Sequence, residues 1–201
     1  MKYENMTYNL TLKRNRQRKT NYRKRASLLL SRRRFIVVKI SDQNVFCQFS
    51  KPALKGDTVI CSSHSRELRK YGWKGSMNSL PACYLTGFLL GKKTLTKGAD
   101  NAILYTGRDS FTSRIAACLK GIVAAGIKVP VSNDTLPSDD RTNGKHIAEY
   151  AKILKGDEAK YNSIFSALIK EGLNPEEYPS HFELTKHRIS ENFSATAKSE
   201  Q

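Results

Sequence analysis

Hydrophobic and polar positions fall into three regimes along the chain. Residues 1–19 show no periodicity and predict extended backbone, and Thr20 is placed to cap a short helix running to about residue 30. From 34 to 64, apolar and β-branched runs alternate with turn chemistry. The runs 35–40 (FIVVKI), 45–49 (VFCQF) and 58–62 (TVICS) predict three strands, divided by Ser41-Asp42-Gln43-Asn44 and by a loop holding Pro52 and Gly56. Such short connections make an antiparallel meander. Residues 65–80 are polar, with one helical turn at 66–70. A helix starts at Leu80-Pro81, with proline in its first turn, and Ala82, Leu85, Phe88, Leu89, Lys92 and Leu95 keep helical spacing to about Gly98. Residues 102–106 (AILYT) predict a fourth strand, and 113–125 a second helix ended by Gly126. Strand, helix, strand, helix after a meander predicts an α/β fold, a sheet with helices packed on it. Residues 132–140 are rich in turn residues, and helices follow at about 141–154, 157–171 and 179–190. The middle one is amphipathic through Tyr161, Ile164, Phe165, Leu168 and Ile169. Three units are expected: an arm at 1–33, a core domain at 34–131 and a helical extension at 132–201.

Charge changes the picture. The chain has 201 residues, 35 Lys and Arg against 18 Asp and Glu, and a net charge of +17. Residues 1–40 hold 13 of those cations and a single acid, whereas residues 131–201 hold nine cations and twelve acids. So dense a cationic segment repels itself unless a polyanion neutralises it. A membrane-surface helix would need an apolar face, and residues 11–25 offer only Leu12 and Tyr22. No run approaches the roughly 18 apolar residues of a membrane span, and no signal-peptide core is visible, so neither is expected. Nucleic acid fits best. A localisation signal or solvated tail fits less well, because the basic excess continues into residues that look folded. Arg23, Lys24 and Arg25 in the first turns of the arm helix oppose its dipole. The free arm is therefore expected to be disordered and to order against phosphate.

Catalytic chemistry finds little support. Gly87-Phe88-Leu89-Leu90-Gly91-Lys92-Lys93-Thr94 has one residue too few between its glycines, and a second lysine where a phosphate-binding loop needs Ser or Thr. Its small-residue spacing better suits close packing on the sheet. The strand cores contain no acid; Asp42, Asp57, Asp100 and Asp109 fall in turns or at strand ends, and an approach of Asp57 to Asp109 leaves a metal-dependent hydrolase open but unsupported. His64, among Ser62, Ser63 and Ser65, reads as a hydrogen-bonded strand-end residue. Cys47, Cys61, Cys83 and Cys118 lack any C-x-x-C spacing and read as buried, reduced thiols in an intracellular protein. What remains is binding. In residues 62–75 (SSHSRELRKYGWKG), Arg66, Arg69, Lys70 and Lys74 alternate with Tyr71 and Trp73. Cations beside flat aromatics suit phosphates and an unstacked base, while the same aromatics would equally cover the edge of a core. RNA is preferred to duplex DNA, since no helix-turn-helix, basic zipper or C2H2 pattern is present.

Several long segments then become familiar. Residues 62–75, 81–93 (PACYLTGFLLGKK), 119–132 (LKGIVAAGIKVPVS) and 145–151 (KHIAEYA), with the basic run 13–25 (KRNRQRKTNYRKR), closely resemble the L-eighteen family of large-ribosomal-subunit proteins in its archaeal form. Eukaryotes call the counterpart ribosomal protein L-five. The resemblance covers essentially residues 8–190. Gln17-Arg18 replaces the family's usual acidic-glycine pair, Asn21 its usual aspartate, and the loop 108–113 departs from its usual Gly- and Lys-containing form.

The resemblance implies a mixed, mostly antiparallel sheet with two packed helices, a basic extended N-terminal arm and a helical C-terminal tail. It implies a cytoplasmic ribosomal protein without catalytic residues, metal or cofactor. Its partners would be 5S rRNA, large-subunit rRNA, the neighbouring ribosomal protein L-five of bacterial and archaeal nomenclature and other large-subunit proteins. A general nucleic-acid-binding role outside the ribosome is the alternative. With the charge pattern, it marks as RNA contacts Lys13, Arg14, Arg16, Arg18, Lys19, Thr20, Tyr22, Arg23, Lys24 and Arg25 on the arm. Arg32, Arg33 and Arg34 extend that surface at the entry to the sheet, and Ser65, Arg66, Arg69, Lys70, Tyr71, Trp73 and Lys74 form a second patch. The acidic tail is expected to avoid phosphate and to meet proteins.

Overall fold

A computed structural model describes the backbone of residues 10–53 and 56–199, with side chains among these as far as residue 194. The extended reading of residues 1–9 lies outside the described residues. Strands β1 (Arg34–Ile40), β2 (Val45–Lys51), β3 (Thr58–His64) and β4 (Ala102–Leu104) form one sheet in the order β3-β2-β1-β4. The first three make the expected antiparallel meander, and β4 joins β1 in parallel, so the sheet is mixed. Strand alternation sorts the two faces. Ile36 and Val38 of β1 and Val45, Cys47 and Phe49 of β2 enter the core. Val37 and Lys39, with Gln48 and Ser50, face the other way.

Helices α1 (Lys13–Arg16) and α2 (Tyr22–Leu29) lie in the arm, and α3 (Leu80–Leu95) and α4 (Ser113–Ala124) cover the core face of the sheet. Residues 13–16 thus make a helical turn where extended chain was expected. The cap of α2 is Asn21, whose side chain accepts from the Lys24 N–H, one residue past the expected Thr20. Ser79 caps α3, and twelve of its sixteen residues are buried. So complete a burial requires cover on both sides. One side meets the sheet and α4; the other carries a second core built with the C-terminal helices. The glycines of α3 serve the helix pair rather than the sheet. A Cβ on Gly87 would stand 2.1 Å from the Cys118 carbonyl oxygen, and one on Gly121 equally close to that of Tyr84. The four cysteines are free and buried. Cys118 lies beside Cys47 and Cys83, and burial, with those neighbours, pushes its thiol well above the usual range.

Beyond the core lie α5 (Asp139–Asn143), α6 (Lys145–Leu154), α7 (Glu158–Lys170) and α8 (Tyr178–Ser199). The single helix expected at 141–154 is divided at Gly144, which has φ 79 and packs its Cα against the Tyr178 ring. Helix α8 runs nine residues past its expected end. Both sheet edges are covered: on β3, Lys97 Nζ donates to the Ile60 carbonyl at 2.7 Å and Lys93 Nζ to that of Ser62 at 3.0 Å. On β4, Lys128 exchanges backbone hydrogen bonds with Asp100 and Ala102.

Candidate nucleic-acid interface

The arm is fastened to the body. Arg25 makes a two-pronged ion pair with Asp57, and its guanidinium lies 5.7 Å from the ring centroids of both Phe35 and Tyr105. Those rings stack at 5.4 Å. The Asp57 hydrogen bond raises the Arg25 pKa above its ordinary value, against the opposing effect of burial. Lys24 Nζ donates to Thr106 Oγ1 at 2.8 Å, and Arg14 Nε to Thr20 Oγ1 at 2.9 Å. Residues 13–29 fold against the sheet through these bonds. Lys24 and Arg25 act first as fasteners, and Thr20, buried beneath Arg14, presents nothing outward.

The remaining arm cations point to solvent. Lys13, Arg16, Arg18, Lys19, Arg23, Arg32 and Arg33 are exposed, and their side chains make no ion pair among the described residues. Tyr22 is 37% exposed between them. Arg32, Arg33 and the half-buried Arg34 line, with Lys51, an open depression of about 590 Å³ at the foot of β1.

The body patch is smaller than the sequence suggests. Ser65 is fully buried and accepts from the Val45 N–H at 3.1 Å. Trp73 is 2% exposed, edge-on to Tyr178 at 5.5 Å and stacked on His181 at 5.1 Å. Both are core residues and are corrected as contacts: neither offers a surface to RNA. Tyr71 is half-buried, with its hydroxyl accepting from Asn192 Nδ2 at 3.1 Å. Arg66, Arg69 and Lys70 stay exposed and without ion pairs among the described residues, while Lys74 donates from Nζ to the Gly172 carbonyl. The lone acid of the segment, Glu67, is turned inward to Lys93 and to the His64 N–H, where it completes a capping box. Sequence reasoning missed Arg188. It sits in the acidic third of the chain, yet α8 carries it to this patch, where it donates to the Tyr71 carbonyl.

The candidate catalytic residues are engaged elsewhere. Asp57 holds Arg25 and Asp109 holds Lys39, so the two acids do not share a site. His64 Nδ1 accepts from the Arg66 N–H. Among the described residues no three His, Cys, Asp or Glu side chains gather as a metal site, and no helix is long and apolar enough to cross a membrane.

The uncovered face of the sheet forms a second feature that sequence reasoning missed. An open cleft of about 1070 Å³ lies between the arm and this face. Its floor is Val37, Lys39, Gln48, Ser50 and Val59, and its walls include Lys19, Tyr22 and Tyr105. The Ser50 hydroxyl is buried there, with no hydrogen-bond partner among the described residues. Polar Lys39 and Gln48 alternating with the core residues of β1 and β2 were the available signal.

A cationic arm clamped to an α/β body, with Asp57, Glu67 and Asp109 engaged in ion pairs, has the form of a polyanion-binding protein. Comparison with known proteins agrees. The family described as ribosomal large subunit proteins 60S L5 and 50S L18 matches residues 6–109. The chain is 45% identical over 187 residues to the large ribosomal subunit protein uL18 of Thermofilum pendens, spanning 92% of this chain and 95% of that one. It is 42% identical over 195 residues to the uL18 of Aeropyrum pernix, spanning 95% and 91%. The chain belongs to this family, in its archaeal form: a structural constituent of the large ribosomal subunit in the cytoplasm, and not an enzyme.

Proposed function

We propose that this chain binds 5S rRNA and, with the neighbouring ribosomal protein L-five, attaches it to the large-subunit rRNA in the central protuberance. The row of exposed, unpaired cations from Lys13 to Arg33 carries this reading. None of these exposed side chains makes an ion pair among the described residues, and a folded RNA supplies phosphates at comparable spacing. Docking through Arg25 and Lys24 sets the row against the body before RNA arrives, which lowers the ordering cost of binding. Arg66, Arg69, Lys70 and Arg188 supply a second cationic surface, and a protein that touches RNA at two places suits a linking role. The net-acidic residues 131–201 are left for protein neighbours.

Filter binding of 5S rRNA across a salt series tests this. With about eight phosphates engaged, log K falls by about 6 to 7 per log unit of salt. The triple variant Arg16→Ala, Lys19→Ala, Arg23→Ala should lower that slope by about 2. Duplex DNA should compete poorly. An unchanged slope in the variant, or duplex DNA competing as well as 5S rRNA, would sink the proposal.

A further inference from the structure

We infer that Asp57 and the loop after β4 form a clasp that positions the arm, so that an acid on the cationic side of the molecule strengthens RNA binding instead of weakening it. The inference rests on the 5S rRNA reading and adds to it the residues that set the arm in place. A carboxylate beside a phosphate-binding surface repels the ligand, and costs affinity unless it has another task. Asp57 is such an acid. It takes both prongs of the Arg25 guanidinium, and the two side chains are at most 25% exposed, unlike the loose surface pairs that contribute little. Asp57 lies just before β3, at one edge of the sheet, and the other half of the clasp lies just after β4, at the opposite edge. There the Tyr105 ring meets Arg25, Thr106 Oγ1 accepts from Lys24 Nζ at 2.8 Å, and Arg108 Nη2 donates to Asn15 Oδ1 at 2.5 Å. The loop that carries these groups is itself fixed. Gly107 turns at φ 65, the Asp109 N–H donates to the Thr106 carbonyl at 3.1 Å, and the Asp109 carboxylate accepts from Lys39 Nζ at 2.5 Å. Both arm helices are thereby tied, α2 from the two sheet edges and α1 through Asn15. Lys13, Arg16, Lys19 and Arg23 meanwhile make no ion pair among the described residues. Asp57, Thr106 and Asn15 are positioning residues: they act on RNA through the arm they hold.

The triple variant Asp57→Asn, Thr106→Val, Asn15→Ala tests this, because it removes three acceptors and leaves every cation in place. Amide exchange is read first, on the full chain without RNA. In the wild type the Lys19, Thr20 and Arg25 amides are protected. In the variant they exchange freely, since helices as short as α1 and α2 do not persist undocked, while the β1 and β2 amides keep wild-type protection and report a folded body. Filter binding of 5S rRNA then separates charge from position. By charge alone the variant binds more tightly, having lost an acid and released Lys24, Arg25 and Arg108. With the clasp, affinity at fixed salt falls about ten-fold, in step with the docked fraction of the arm, and the salt slope does not decrease. Arm amides unprotected in the wild type, an arm still protected in the variant, or a released arm with affinity unchanged or raised would each overturn the clasp while the 5S rRNA reading stands. Failure of the wild-type protein to bind 5S rRNA would instead remove the function beneath it, and the exchange data, taken without RNA, tell the two failures apart.

Discussion

Arg18 has φ 53, a left-handed backbone conformation that L side chains rarely adopt. For a side chain with a Cβ the conformation costs about 1–2 kcal/mol, against the roughly 0.4–1 kcal/mol of extra chain entropy a glycine loses on ordering. Arg18→Gly should therefore stabilise the turn after α1 by about half to one kcal/mol. Amide exchange at Lys19 and Thr20, both bonded to the Arg14 carbonyl, would show it. The same substitution should lower the salt slope of RNA binding by nearly one. Stability and binding would thus move in opposite directions, as expected where a strained residue is kept for its charge. Other single residues were illegible for a plain reason. Trp73 is buried by Tyr178 and His181, more than a hundred positions along the chain, and no local pattern announces them. Arg25 was legible as a cation, but its acid lies 32 residues away across the fold.

At the scale of elements, much was legible because the chemistry is local. The three meander strands, the Leu80-Pro81 start of α3 and the Gly126 stop of α4 follow from β-branched runs, a first-turn proline and a breaker. The division of α5 from α6 was not, since it depends on Tyr178 closing over Gly144. Docking of α8 should depend on pH through His181. Burial, with the nearby Lys74 and Arg188 charges, holds its pKa below the ordinary 6.5, and its Nε2 accepts from the Lys74 N–H, which requires a neutral ring. The unfolded chain therefore takes up this proton more readily than the folded one. The stabilisation is present above about pH 6.5 and is lost as pH falls through that value toward the lower folded pKa. Acidification from pH 7.5 to 5 should quench and shift the emission of Trp73, the only tryptophan, and His181→Gln should flatten that response. A wild-type emission independent of pH over this range would contradict the argument.

For the whole molecule, α3 is shared between two cores. One unites it with the sheet and α4; the other unites it with the 65–71 turn and α8. Removing residues 172–201 would uncover Leu68, Trp73, Leu85 and Leu89, all at most 2% exposed. At about 1.5–3 kcal/mol per large apolar side chain the loss is about 6–12 kcal/mol, comparable with the entire stability of a typical domain. The shortened chain should bind a hydrophobic dye and lose its near-ultraviolet dichroism at 25 °C. A sharp thermal transition at the full-length temperature would refute the shared-core account. The α/β class and the uneven charge were legible at this scale, since element order and composition carry them, whereas the mixed sheet followed only from the family resemblance. The open sheet face as a cleft was not, because it exists only once the arm has folded across it.

The lysines that reach from α3 and the turn after it to the outer strand have a consequence for the time before the chain joins its ribosome. A newly made ribosomal protein waits among many copies of itself, and a bare strand margin invites neighbours to zip on. Here Lys93 and Lys97 already occupy the Ser62 and Ile60 oxygens, and any stacked copy would have to displace two ammonium groups and meet their positive charge. The segment that organises the interior thereby also occupies the strand margin that a second copy would need.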